Sequence, residues 1–455
     1  MHPRIPVLSL FVACLAGCHS YTPMPVDLDR HLRDFQQRLV DQHLVHQQDL
    51  SVAPDSEAVR RGDARELAKM FHPDARLARR RVGIAAAQRD HAGAWADPQL
   101  QTNLQRILET VPYRWVANAQ LGFTLPINGR LQKQRELADR NQDEALLEAW
   151  AIEQRVANDL DSAWVTWSVA TQRAGLFEQT CANLQLLAEL TQALVDTDSL
   201  SRPAARVFML EHQQQEAGHA MAIAEAAAAR LDVLRRMGLH PDAEVELQGD
   251  MAVAPFVAEA EARRTALATS PRLLAQQLEH ATAEANLHLQ VRMQWPDLQL
   301  WPGWQEEDGQ PRAGIGLNLT LPIFTGNDPA IARALATREL TAESLRTALE
   351  QLLQELAIAE VRHAAAIDQA ERFGSLIDAA KQQIEDSRSL AAAGQLDAML
   401  MLDALLRAHN VQLQAMHADL AAALTAITIN NLLTDPQSGA PSANTGEALH
   451  TGEER

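Results

Sequence analysis

The same plan is written twice in this chain, 196 positions apart, and that duplication constrains the fold more than any other feature. Ala117-Asn118-Ala119-Gln120-Leu121-Gly122-Phe123-Thr124-Leu125-Pro126-Ile127 returns as Ala313-Gly314-Ile315-Gly316-Leu317-Asn318-Leu319-Thr320-Leu321-Pro322-Ile323. Large apolar residues alternate in each copy (Leu121, Phe123, Leu125; Leu317, Leu319, Leu321), which predicts a strand. A strand-like piece precedes each, at 96–100 and 295–300, and the polar run 305–312 reads as the loop joining the second pair. Each copy is therefore expected to hold a hairpin, at about 95–127 and about 295–323. Residues 104–109 read equally well as helix.

Long helices are expected to follow both hairpins. From Val156 the apolar or small residues step by four and three through Leu160, Ala163, Trp167, Ala170, Ala174 and Phe177 to Val195. Adding 196 reproduces the seam as Leu352, Leu356, Ala359, His363, Ala366, Ala370 and Phe373 onward, without a gap. A helix from about Arg130 to Asp198 would measure roughly 100 Å at 1.5 Å per residue, far beyond a globular helix. Both helices are expected to stop at a tip, 198–203 in the first copy and 394–396 in the second, and to return as a shorter antiparallel helix.

The N-terminus reads as an address. Arg4, an apolar run too short to span a membrane, and Leu15-Ala16-Gly17-Cys18 together predict a signal peptide over 1–17. Leu-Ala-Gly-Cys resembles a bacterial lipobox, so Cys18 is the expected lipidation site. His19 stands where inner-membrane retention would place Asp, which directs the anchor to the outer membrane. The expected divisions are a lipidated extension over 18–60, repeats over 61–250 and 251–436, and a disordered tail over 437–455. A formal charge of -19 with no basic stripe argues against a nucleic-acid partner.

Four strands cannot close a membrane barrel, the smallest of which have about eight, and open edges in lipid leave backbone groups unpaired. Strands that enter a membrane must therefore share a barrel with copies of the chain, and three copies would supply twelve. The expected fold is mainly α with a small membrane β-barrel. Long antiparallel helices form an α-barrel or coiled coil, with four strands per protomer, two internal repeats and closure by trimerisation.

This plan resembles the TolC family of outer-membrane efflux proteins over residues 60–436. The most specific segments are Trp295-Pro296-Asp297-Leu298 and Leu321-Pro322-Ile323-Phe324-Thr325-Gly326-Asn327-Asp328-Pro329, similar to members serving heavy-metal exporters. Phe71-His72-Pro73-Asp74 and 96–100 resemble the opening segments of the same branch. The resemblance implies a homotrimeric outer-membrane channel inserted in outer-membrane lipid and continued by a periplasmic tunnel. It implies docking to a periplasmic adaptor (membrane fusion) protein and an inner-membrane pump of the resistance–nodulation–division type, with metal cations favoured over drugs as cargo. The docking tips would be Ser199, Leu200 and Ser201 in one repeat and Gly394, Gln395 and Leu396 in the other. Asp403 matches the family's acidic position near the periplasmic mouth, where three carboxylates would attract cations, and Asp397 is a second candidate.

No nucleophile–base set, phosphate loop or metal-ligand spacing appears, so no enzyme activity, catalytic residue, metal site or cofactor is expected. The sixteen His read as a scatter of solvated side chains, with an interhelical hydrogen bond expected for His363 in its seam, and Cys181 as a small seam residue. The competing reading is a non-conducting periplasmic coiled-coil lipoprotein scaffold, which would have no use for paired amphipathic hairpins.

Overall fold

The duplication persists element for element in the computed structural model, which describes residues 21–38, 58–253, 267, 270–392 and 397–433. Chain order is α1 (Leu28–Gln36), α2 (Arg61–Phe71), α3 (Pro73–Asp90), β1 (Gln99–Arg106), β2 (Trp115–Leu125), α4 (Arg130–Asp196) and α5 (Arg202–Met237). There follow α6 (Pro271–Arg292), β3 (Leu298–Glu307), β4 (Gln310–Leu319), α7 (Asp328–Ala392) and α8 (Ala398–Leu432). Helices α4 and α7 end 196 positions apart, and α5 and α8 begin 196 positions apart. Among the described residues no helix is long and apolar enough to cross a membrane.

The predicted seams are the buried stripes. Val156, Leu160, Ala163, Trp167, Phe177, Leu184 and Thr191 are buried on α4, as are Leu352, Leu356, Ala359, Ala366 and Ser387 on α7. The expected interhelical bond of His363 is present: Nδ1 lies 3.1 Å from the Ala422 carbonyl and 3.0 Å from Thr425 Oγ1.

The repeats differ in what covers them. On α4 a second stripe, Ala157, Asp161, Trp164, Val165 and Ser168, is also buried. There α2 and a strap over 239–253 close a core of Leu67, Leu160, Trp164, Leu234, Met237 and Val245. A parallel bridge between Val59 and Leu247 ties the strap to the start of α2. Gly238 makes the corner into the strap with φ +72°, and a Cβ there would lie 2.5 Å from the Phe71 carbonyl oxygen, so both backbone sign and space require glycine. Arg38 donates to the Gly238 carbonyl (2.8 Å) and lies over the rings of Phe35 and Phe71, which docks α1 at this corner.

Two charges of α2 reach the second stripe. Asp161 Oδ2 accepts from Arg65 Nη1 at 2.7 Å, and Arg61 Nε lies 3.7 Å from Asp161 Oδ1. Arg61 also donates to the Ala252 carbonyl, joining α2, α4 and the strap through one guanidinium.

The strands form one antiparallel sheet in the order β1-β2-β3-β4. Two expectations change here. Residues 305–307 and 310–312 belong to paired strands, and the turn is only Asp308-Gly309, at φ 53° and 72°, the positive pair that a two-residue hairpin turn requires. Residues 104–106 continue β1 rather than forming a helix, paired to 115–117.

Candidate channel wall, elbows and helix tips

Register sorts the strand residues onto two chemically opposite faces. Leu100 and Leu104 of β1 share one face with Leu121, Phe123 and Leu125 of β2, Leu298 and Leu300 of β3, and Ile315, Leu317 and Leu319 of β4. Trp115 and Trp304 stand at the hairpin end of the sheet, and Trp95 and Trp295 just before the first residues of β1 and β3, all four exposed. An apolar band between aromatic girdles is what a lipid-facing barrel wall presents.

The other face is built of amides. Gln99, Gln101, Asn103 and Gln105 of β1 continue into Asn118 and Gln120 of β2, Gln299 and Gln305 of β3, and Asn318 of β4. Asn318 Nδ2 donates to Gln299 Oε1 at 3.0 Å across the strands. This face is kept flush by reciprocal large–small pairs. Trp301 lies over Gly122 of the neighbouring strand, where a Cβ would come within 2.6 Å of its ring, and the Gln120 side chain lies over Gly303. The sheet remains open: every residue of the two edge strands, β1 and β4, is exposed.

At the opposite end of the sheet the elbows hand over to helix. Asn128 Nδ2 donates to the Trp295 carbonyl (2.6 Å), and Arg130 opens α4 with two bonds from Nε to Asp297 (2.8 and 3.1 Å). The first repeat's elbow is thus clamped to the entrance of the second repeat's hairpin. In the second elbow Asn327, at φ 67°, donates to the Gln290 carbonyl (2.9 Å). Sequence reasoning singled out the second elbow by motif and missed the Arg130–Asp297 pair, whose signal was a charged residue at each of two proline- or glycine-marked corners.

The first tip is a compact helix stop. Asp198 N–H donates to the Val195 carbonyl (3.0 Å) and Ser199 N–H to the Leu194 carbonyl (2.9 Å), a Schellman arrangement with Asp198 at φ 55° where glycine is usual. Asp198 is the counterpart of Gly394. Ser199 and Ser201 are exposed and Leu200 is half-buried; Ser201 Oγ caps α5 by accepting from Ala204 N. Gly394, Gln395 and Leu396 lie outside the described residues, as does Cys18. Leu184, Leu187 and Phe208 pack on Ala398 and Leu402, so this tip and the start of α8 share one end of the molecule.

The two acidic candidates have separate situations. Asp397 is the N-cap of α8, its Oδ1 accepting from Met399 N (3.0 Å) and Leu400 N (3.1 Å). Asp403, on the exposed side of α8, accepts from Arg407 Nε at 2.6 Å. A ring of Asp403 carboxylates would therefore be shadowed by a ring of guanidiniums one turn away.

Among the described residues His409 departs furthest from the solvated reading. His409 is 4% exposed, its Nδ1 2.9 Å from Thr180 Oγ1 and its ring edge-on to Phe177. Burial and then Arg173 pull its pKa below the ordinary imidazole value, against Glu211. Below pH about 6.5 the unfolded chain takes up this proton before the folded one, so stability falls as pH drops from there through the folded pKa. His409→Gln is expected to flatten that acid slope of the melting temperature; an unchanged slope would assign it to other groups. Among the described residues no group of three or more His, Cys, Asp or Glu is placed to hold a metal ion.

No protein-family model and no curated protein sequence matches this chain. Solved structures do. The crystal structure of CusC, described with transmembrane channel formation, aligns with a TM-score of 0.68 at 15% identity, covering 82% of this chain and 92% of that one. The outer membrane protein VceC of Vibrio cholerae gives 0.69 at 15% identity, covering 82% and 95%. The open state of the Neisseria gonorrhoeae MtrE outer membrane channel gives 0.69 at 16%, covering 83% and 89%. The chain has the fold of these outer-membrane channels.

Proposed function

We propose that the chain is one protomer of a trimeric TolC-like outer-membrane channel, continued by a helical periplasmic tunnel, that exports solutes and catalyses no bond chemistry. The observation that carries this reading is the sheet: apolar on one face, amide on the other, girdled by tryptophans and open at both edges. A coiled-coil scaffold has no use for that surface. Three copies would close twelve strands and leave no edge in lipid.

The duplication specifies how copies would meet along the helices. Within the chain Val165 of α4 is buried against Ala423 and Ile427 of α8. Their counterparts, 196 positions away, are Val361 on α7, 71% exposed, and Ala227 and Leu231 on α5, the last 46% exposed. Val361 of one copy would pack on Leu231 of the next as Val165 packs on Ile427.

On this reading Cys18 carries the lipid anchor, and the two tips, Ser199–Ser201 and Gly394–Leu396, meet a periplasmic adaptor leading to an inner-membrane pump of the resistance–nodulation–division type. The resemblance of the Leu321–Ala334 elbow to members serving heavy-metal exporters favours metal cations as cargo, with Asp403, which would have to part from Arg407, and Asp397 as the acidic candidates at the mouth.

Val361→Cys with Leu231→Cys tests the assembly. Oxidation is expected to lock a covalent trimer in the outer membrane, while each single variant stays uncrosslinked; no covalent trimer from the double variant would reject the pairing. The purified protein in a planar bilayer should then give discrete conductance steps, blocked by a trivalent cation from one side and less so in Asp403→Ala. Silence from folded, inserted protein would favour the scaffold.

A further inference from the structure

We propose that the strand segment of the channel is charge-blind: an amide-lined conduit, narrowed at one level by Trp301, that sorts solutes by size and hydrogen bonding and leaves any preference for cations to the helical end. The inference rests on the channel reading above and concerns which solutes that channel passes.

The chain carries a net charge of -19, yet the amide face excludes that excess. The two charges on it, Glu307 and Arg312, lie 3.3 Å apart at the hairpin end and cancel. Between them and the elbows the face offers Gln and Asn, each with a carbonyl acceptor and an amino donor. Such a wall can replace part of the hydration of a cation, an anion or a neutral polar solute, and it generates no net field to concentrate one sign. It also gives a multivalent cation no countercharge for the water it would have to lose. Ions are therefore expected to cross this segment without sign preference, multivalent cations keeping their water.

Between that charge pair and the elbows Trp301 is the one large apolar side chain on this face, Val116 at the hairpin end being smaller. Facing Gly122 on one side and Gly316 on the other, its indole lies against backbone and presents a flat apolar surface on an otherwise polar wall. Three copies would set three indoles at one height. Planar organic solutes that carry hydrogen-bonding groups can stack there while amides hold their polar edges. That is the solute class the segment favours.

The test uses the full-length trimer in planar bilayers under a potassium chloride gradient, with benzamide as the neutral planar probe. Gln120→Glu, which adds one carboxylate per protomer to the amide face, is expected to shift the reversal potential toward cations and raise the cation-to-anion permeability ratio several-fold. Asn103→Asp, a change of equal size on another strand, should do the same and guards against one variant failing to assemble. Trp301→Ala should raise single-channel conductance, leave the reversal potential where it was, and need about five- to tenfold more benzamide for the same partial block. Conducting channels whose reversal potential ignores both new carboxylates would overturn the proposal and leave the channel reading standing. A benzamide block unchanged by Trp301→Ala would remove the indole's role. No conductance from the wild-type trimer would remove the channel reading itself.

Discussion

Leu317→Arg is expected to abolish assembly in the outer membrane, while Asn318→Arg, the next residue along the same strand, is expected to assemble. Leu317 is 71% exposed in the single chain, midway along the apolar band, and it points with Leu300 and Leu121 toward the proposed lipid. An arginine at mid-depth on a barrel's lipid face costs about 2–4 kcal/mol, so three copies would lose on the order of 6–12 kcal/mol together. Asn318 faces the other way, beside Gln299, where a guanidinium meets amides and water. The yield of heat-resistant trimer in outer-membrane fractions reads the contrast. Equal yields would mean that the sheet does not sit in lipid with this face outward, because a period-two structure cannot place adjacent residues in the same environment.

Asp161→Ala is expected to destabilise the protomer by about 3–5 kcal/mol, since it leaves the guanidinium of Arg65 partly buried without its carboxylate and Arg61 with only that of Asp250, 3.9 Å away. Desolvation raises the pKa of Asp161 above the ordinary carboxylate value, against the pull of Arg65, Arg61 and Lys69. Buried charge clusters are often no stronger than apolar clusters of the same volume, and removing one member alone is what costs. Asp161→Leu combined with Arg65→Leu should recover much of the loss. Thermal melts of the two variants decide it: if their losses are equal, the mechanism is wrong. The damage should be local, reported by early proteolysis within the 239–253 strap. The counterpart of Asp161 in the second repeat is Ala357, where none of the described elements corresponds to the α2 clamp, so Ala357→Leu should leave the strap intact.

The helical half of this architecture was legible because duplication and burial leave period signals that solvent does not erase. The ends of α4 and α7 and the starts of α5 and α8 follow the 196-residue offset, and the seam predicted from Val156 onward is a buried stripe in both repeats. The strands were legible only where Leu and Phe alternate with small residues. Residues 104–109 read equally well as helix, and the amide run of β1 before them gives no apolar alternation, since an amide-lined wall looks like a solvated surface to a hydropathy argument. The same ambiguity hid the second hairpin's turn, where residues 305–312 are polar because they form a rim rather than a loop. Asp161 and His409 escaped for a different reason. Each is polar on a helix whose partner comes from far along the chain, α2 in one case and α8 packed on α4 in the other. Asp397 illustrates the converse, a residue singled out for its charge that the fold uses to cap a helix.

The unbroken length of α4 also makes it a lever. At roughly 100 Å, a tilt of one degree about the elbow moves the tip by about 1.7 Å, and five degrees moves it about 9 Å, the width of a helix. Angular error at the fulcrum is thereby magnified into linear error at the far end. The two hydrogen bonds from Arg130 Nε to Asp297 sit at that fulcrum, so any play they allow at the corner reaches the tip enlarged unless the packing along α4 takes it up.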